Sequence, residues 1–288
     1  MLINRFSDNA EATPEELPEL LIHPGRDGLG QYLRELRQYA GLTVLLLRRN
    51  IRLRYRQTLV GMAWAVLQPL LTMLIFTVLF GRLIKVPTGG QPYPVFALCA
   101  LVPWTYFMHS LTLTSKCLND HHELLTKVWF PRLILPLVAV LEATVDFFIS
   151  FALLLLLLPL AGVAPEWRLL LAAPLILLLL TIALGVGLWA ATLNLRYRDI
   201  GNALPFLIQL LLFATPVAYS TSIVPAEWRV LYGLNPLVGV MEGFRWVLLG
   251  ARPDSPMSLA VSVTAAVMLF LSGLFFFRRR EGTFADEV

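Results

Sequence analysis

Charge-free apolar runs alternate along this chain with short segments that hold nearly all of its arginines, and the alternation repeats six times. The runs extend from Gln57 to Gly81, Val86 to Ser115, Phe147 to Pro165, Leu169 to Leu195, Ile200 to Ala226 and Ser255 to Phe277, and Leu133 to Leu141 extends the third backwards. A hydrocarbon core of roughly 30 Å is crossed by about 20 helical residues rising about 1.5 Å each, and every run reaches that length once tilt or a short interruption is allowed. A barrel wall would alternate polar and apolar positions, whereas Leu153 to Leu158 is an unbroken leucine run. The pattern predicts an all-α polytopic membrane protein with six transmembrane helices.

Ahead of the first run the periodicity changes. Val44, Leu47, Ile51 and Tyr55 share one helical face and Arg49, Arg52 and Arg56 another, as in a helix lying along the headgroup boundary. Tyr32, Leu33, Leu36 and Tyr39 form a weaker amphipathic turn upstream, so residues 29–58 read as an interface helix. Its arginines Arg49, Arg52, Arg54 and Arg56 either fix the topology or also bind an anionic lipid or a lipid-linked pyrophosphate, for which the guanidinium fork is suited. Residues 1–28 are polar, acidic and proline-bearing and read as a flexible extension rather than a cleavable signal. After the fifth run, the stretch from Thr215-Pro216 to Leu249 is too polar to cross a bilayer and too apolar for a free loop, which predicts short re-entrant helices.

Composition agrees with burial in lipid: 57% of residues are hydrophobic, 15% are charged, and the mean hydropathy is +0.70. Counted by segment, seventeen of the 23 lysines and arginines fall on the side of the N-terminal segment, the second and fourth connections and the C-terminal tail. That asymmetry predicts cytoplasmic termini. The net charge of +4 and pI near 9.3 follow from it, and the arginines flank spans, where phospholipid phosphates are nearer than any nucleic acid. Arginine's excess over lysine leans towards a GC-rich genome and a bacterial inner membrane.

Much chemistry is missing. No G-x-x-x-x-G-K-[ST] motif occurs, so ATP energy would have to come from a partner. His121 and His122 are adjacent and point different ways on a helix, His23 and His109 are isolated, and Cys99 and Cys117 are too few for a disulfide framework, so no metal site and no catalytic or cofactor-binding residues are expected. A membrane enzyme would need acidic or basic clusters in sizeable loops. Glu142 and Asp146, one turn apart inside the third run, raise a proton-coupled secondary transporter as an alternative. No basic residue is expected beside them to continue a relay, which leaves a place near the membrane surface or bonds across the bundle.

Several ordered motifs carry a resemblance. Arg54-Tyr55-Arg56-Gln57-Thr58-Leu59-Val60-Gly61-Met62-Ala63-Trp64 with Gln68-Pro69, then Phe130-Pro131-Arg132, Arg196-Tyr197-Arg198-Asp199-Ile200, Leu234-Asn235-Pro236-Leu237 and the tail Arg280-Glu281-Gly282-Thr283-Phe284-Ala285-Asp286 resemble the permease subunit of ABC-2-type polysaccharide exporters. The likeness covers residues 30 to 285 and places O-antigen, capsule and teichoic acid exporters nearest. It implies a six-helix domain over 59–280 with a cytoplasmic tail over 281–288. It implies a second copy of the chain and two copies of a P-loop ATPase, which holds ATP and Mg²⁺ while this chain binds no cofactor. The substrate implied is a lipid-linked polysaccharide moved outward; capsule, teichoic acid or a smaller lipid or drug is the alternative within the family.

The resemblance also assigns places to residues. The loop from Lys116 to Arg132 would dock on the ATPase, with a short helix begun by Asn119-Asp120, and Asp120, Glu123, Lys127, Trp129 and Arg132 are the coupling candidates. Leu124, Leu125, Val128, Trp129 and Phe130 together suit a contact better than a solvated loop. Trp64, Trp104, Tyr106, Phe107, Phe206, Phe213 and Tyr219 offer flat faces with polar edges for a sliding sugar polymer. Asn235, Pro236, Glu242 and Arg245 belong to an external gate, with Glu242 and Arg245 expected to pair at i, i+3.

Overall fold

The computed structural model describes residues 29–56, 63–164, 166–251 and 256–284. The expected extension 1–28, residues Gln57 to Met62 of the first motif and the last four residues lie outside them. All regular elements among the described residues are helices: α1 (Leu29–Gln38), α2 (Ala40–Arg56), α3 (Ala63–Phe76), α4 (Tyr93–Asp120), α5 (His122–Lys127), α6 (Ile134–Leu160), α7 (Ala172–Arg196), α8 (Arg198–Phe213), α9 (Ala226–Gly233), α10 (Pro236–Leu249) and α11 (Pro256–Glu281). A π-helical stretch, Thr77–Leu83, continues α3, and short 3-10 turns at Trp167–Leu171 and Thr221–Ile223 precede α7 and α9.

Five of these helical stretches are long and apolar enough to cross a membrane: Ala63–Leu83, Tyr93–Asp120, Ile134–Leu160, Trp167–Arg196 and Met257–Glu281. The run expected from Ile200 to Ala226 differs. Its α-helix, α8, ends at Phe213 and the chain turns at Ala214, and Pro216 disfavours helical backbone at Thr215, so the helix does not resume there. Carboxylates at Glu142 and Asp146 do not interrupt the third span, which is one 27-residue helix.

α4 is the hub of the bundle. In its most apolar window 78% of residues are buried within the protein, against 6% for α3 with its π continuation and 17% for α11, so these two form the rim. α4 packs on α6 and α7, and α10 closes the near end. α7 is wedged between α4 and α11 by two glycines. A Cβ on Gly187 would lie 2.7 Å from Thr114 of α4, and one on Gly185 would lie 2.7 Å from the backbone of Leu269 in α11. Without a strong hydrophobic drive between helices in lipid, such backbone contact is a principal source of helix association.

Two cores result. One surrounds Tyr93 to Leu111 and reaches Phe147, Leu179 and Phe244; the other gathers Leu46, Leu118, Leu125, Phe130, Leu195, Phe277 and Phe284 at the α5 end. Cys99 and Cys117 are buried and unbridged.

Candidate functional site

At the α10 end the chain builds a compact cap. Asn235 caps α10 by accepting from the Leu237 amide at 3.0 Å, Pro236 supplies the first turn's fixed φ, and Gly250 ends the helix in the left-handed region at φ 71. The Asn235 amide also donates to the Ala214 carbonyl at 3.1 Å and to Thr215 Oγ1 at 3.0 Å, tying the end of α8 to the start of α10. Every residue of α10 but Pro236 and Trp246 is buried.

Glu242 and Arg245 do not pair with each other. The Arg245 guanidinium donates to the carbonyls of Val217 at 2.8 Å and Tyr219 at 3.0 Å and lies 3.7 Å from the centre of the Phe96 ring. Glu242 accepts from the hydroxyls of Thr221 and Ser258. Although i, i+3 neighbours, the two side chains reach different segments, because each finds fixed dipoles in a dry core that the other cannot supply. Tyr219 donates to the Phe213 carbonyl at 2.6 Å and accepts from Tyr232 at 3.0 Å, completing the cap.

At the opposite end, α2 docks along α6. The docked face runs through Leu46, Asn50 and Arg54, while Val44, on the expected apolar stripe, is 46% exposed. Arg54 therefore leaves the headgroup set. Its guanidinium lies 2.9 Å from Asp146 Oδ2 and 3.5 Å from Glu142 Oε1, while Arg49, Arg52 and Arg56 stay exposed on the other side of α2. Tyr55 donates to Asp146, and His109 of α4 lies 4.0 Å from the same carboxylate. Burial first, and then the bond to Asp146, push the Tyr55 hydroxyl above the ordinary tyrosine range. The carboxylates thus have the basic neighbours that periodicity within the spans did not reveal. Beside them a cavity of about 260 Å³ opens between α2, α4 and α6, lined by Leu53, Cys117, His121 and Glu142 among others.

The predicted coupling loop is partly committed to the protein itself. Asp120 is the exposed last residue of α4 rather than the start of the next helix, whose N-cap His121 makes no capping bond, so α5 is only six residues long. Leu125 and Phe130 are buried in the second core, whereas Val128 is 53% and Trp129 44% exposed. Trp129 meets Tyr39 edge-on at 6.0 Å. Glu123 and Lys127 form an exposed i, i+4 pair at 3.3 Å. Arg132 turns inward: its backbone N–H donates to Glu281 Oε1 at 2.8 Å, its side chain to the Glu281 carbonyl, and its guanidinium stands 5.9 Å from the Phe284 ring. No spacing in the sequence signals that role, because Arg132 and Glu281 lie 149 residues apart.

The seven aromatics divide. Trp104, Tyr106 and Phe107 are buried, with Tyr106 edge-on to Phe147 at 5.4 Å, so within one copy their faces are occupied by the core and make no wall. Trp64, Phe206 and Phe213 are exposed on α3 and α8, and Tyr219 is half-buried in the cap.

A rim of apolar spans, a central buried helix, a docked basic helix at one end and a sealed cap at the other define a multi-pass helical membrane protein. The chain matches the ABC-2 type transporter family over residues 41–249 and belongs to it. It is 32% identical over 259 residues to the O-antigen export system permease protein RfbA of Myxococcus xanthus, covering 89% of this chain and 98% of that protein. The RfbA of Klebsiella pneumoniae is 25% identical over 246 residues, 85% and 94% of the two chains. The polysialic acid transport protein KpsM of Escherichia coli is 24% identical over 241 residues, 81% and 91% of the two.

Proposed function

We propose that this chain is the permease subunit of an ATP-driven exporter that moves a lipid-linked, O-antigen-like polysaccharide from the cytoplasmic to the outer face of a bacterial inner membrane. The observation that carries the reading is the likeness to O-antigen export permeases along nearly the whole chain. With no P-loop of its own, the chain draws on two copies of a partner ATPase holding ATP and Mg²⁺, and it works as a pair of copies. α8, 16 residues long, completes a sixth crossing together with the capped segment after it, and α10, too short at about 21 Å to span, is re-entrant. Both termini are cytoplasmic, the side on which the basic segments collect.

Residues then take roles by exposure. Arg49, Arg52 and Arg56 face outward from α2, where they meet lipid headgroups or the pyrophosphate of the substrate. Glu123, Lys127, Val128 and Trp129 form the ATPase contact, with Arg132 behind them as a support. Trp64, Phe206 and Phe213 stand where two copies would enclose a pathway. Asn235, Pro236, Glu242 and Arg245 hold the external cap. Capsule export is a second reading, favoured by the likeness to the polysialic acid transport protein.

The test is co-purification from native membranes. A P-loop ATPase recovered at one copy per permease, with turnover that changes on adding lipid-linked glycan, is the expected result. Recovery of no ATPase, together with export driven by a proton gradient and lost in Glu142→Gln, would replace this reading with a secondary transporter.

A further inference from the structure

The tail motif has so far only a local role, yet it sits at one end of a helix that is bonded to other segments at both ends. α11 is 26 residues long, about 39 Å at the usual rise. At its C-terminal end Glu281 accepts from the Arg132 amide at 2.8 Å and from the Tyr32 hydroxyl at 3.1 Å, and its own carbonyl accepts from the Arg132 guanidinium. Arg278 lies over the Tyr32 ring at 4.6 Å, and Phe284, fully buried, meets Phe277 at 5.0 Å. The loop after α5, helix α1 and the end of α11 are thereby one unit.

At the other end Ser258 donates to Glu242 of α10, which also accepts from Thr221. Contact there is at the backbone: a Cβ on Gly239 of α10 would lie 2.5 Å from the Ser258 carbonyl. Between the ends α11 rides on α7 through Gly185 and Gly273, with Trp189 stacked on Phe276 at 4.2 Å and bonded to Ser272. Its remaining surface is largely free of protein, since 17% of its apolar window is buried. A stiff rod jointed at both ends and guided along one side transmits displacement along its axis.

We propose that α11 is a strut that ties the loop at residues 122–132 to α10 and the Thr221–Ile223 turn, with Glu281 and Glu242 as the positioning residues of its two joints. The motion it carries is the one a docked ATPase imposes on that loop, so the proposal rests on the exporter reading. The bonding at the Glu281 joint is charge-assisted and threefold, so the loop cannot shift without moving the helix end.

Coupling between two ends must be reciprocal. Hydrogen exchange is measured on the full-length permease in lipid nanodiscs, as purified from native membranes, for the native chain, Glu281→Ala and Ser258→Ala. Glu281→Ala is expected to speed exchange about fivefold or more in α10 as well as near Arg132, and Ser258→Ala to speed it to a similar extent in the 122–132 loop. Glu281→Gln, which keeps carbonyl acceptors for the Arg132 amide, is expected to restore most of the native protection. Faster exchange confined in each variant to its own end overturns the strut. If Glu281→Ala does not assemble, the far-end response in Ser258→Ala decides alone. Exchange needs neither ATP nor a bound partner, so it judges the strut even where no ATPase co-purifies, the outcome that would instead remove the exporter reading.

Discussion

α6 and α10 each carry two ionisable residues one helical turn apart inside an apolar segment, and the two helices satisfy them in opposite ways. On α6, Glu142 and Asp146 are met by charge, the Arg54 guanidinium at 3.5 Å and 2.9 Å. On α10, Glu242 and Arg245 are met by neutral dipoles, namely two hydroxyls, two carbonyls and an aromatic face. Solvent explains the difference. Arg54 enters from α2 with its side chain 31% exposed, so its desolvation cost is modest, whereas Arg245 is 4% exposed in a region where a second bare charge would gain less than fixed dipoles that are already in place.

The comparison breaks most sharply at Arg245. Arg245→Met leaves the carbonyls of Val217 and Tyr219 without their donors, and we expect a loss of about 3–5 kcal/mol, read as a melting temperature in detergent lowered by roughly 10 °C or more. Arg245→Lys should recover little, because one ammonium cannot reach both carbonyls while stacking on Phe96. Arg54→Ala strands two carboxylates but in a partly solvated site, for which about 1–3 kcal/mol is expected. Adding Asp146→Asn should recover much of that loss, and a Leu46→Cys reporter on the docked face should become accessible to a maleimide in the single variant alone.

Glu242→Gln should cost less, about 0.5–1.5 kcal/mol, since both hydroxyl partners rotate to suit an amide; a loss as large as that of Arg245→Met would mean that the carboxylate charge itself stabilises the cap. Smallest is Lys127→Ala. Its pair with Glu123 is 70% exposed and contributes about 0.3–0.5 kcal/mol, so the melting temperature should not move measurably, and any change in ATP turnover would then report a contact with the ATPase.

Much of the membrane fold was legible because in lipid every backbone group must bond within its own segment, so span length and polarity alone mark a helix. That is why α4, α6, α7 and α11 fall where the apolar runs place them. The fifth run is one α-helix only as far as Phe213, and a turn separates it from the short helices that follow Pro216. Arg54 was misplaced because helical spacing sorts residues by face but says nothing about which neighbour a face meets, and its partners lie about ninety residues away. For the same reason Leu125 and Phe130 looked like a docking patch, although both are buried in the second core.

The sequence by itself determined the membrane class, most span positions and the capping of α10 by Asn235 and Pro236. Those features depend on composition, periodicity and contacts a few residues apart. Tertiary structure alone decided that Arg54 neutralises Asp146, that Arg245 is held by carbonyls rather than by Glu242, and that Glu281 clasps the loop at Arg132. Each of these bonds joins residues whose separation is set by how the helices cross, and crossing geometry comes from glycine contacts and side-chain packing that no single segment contains.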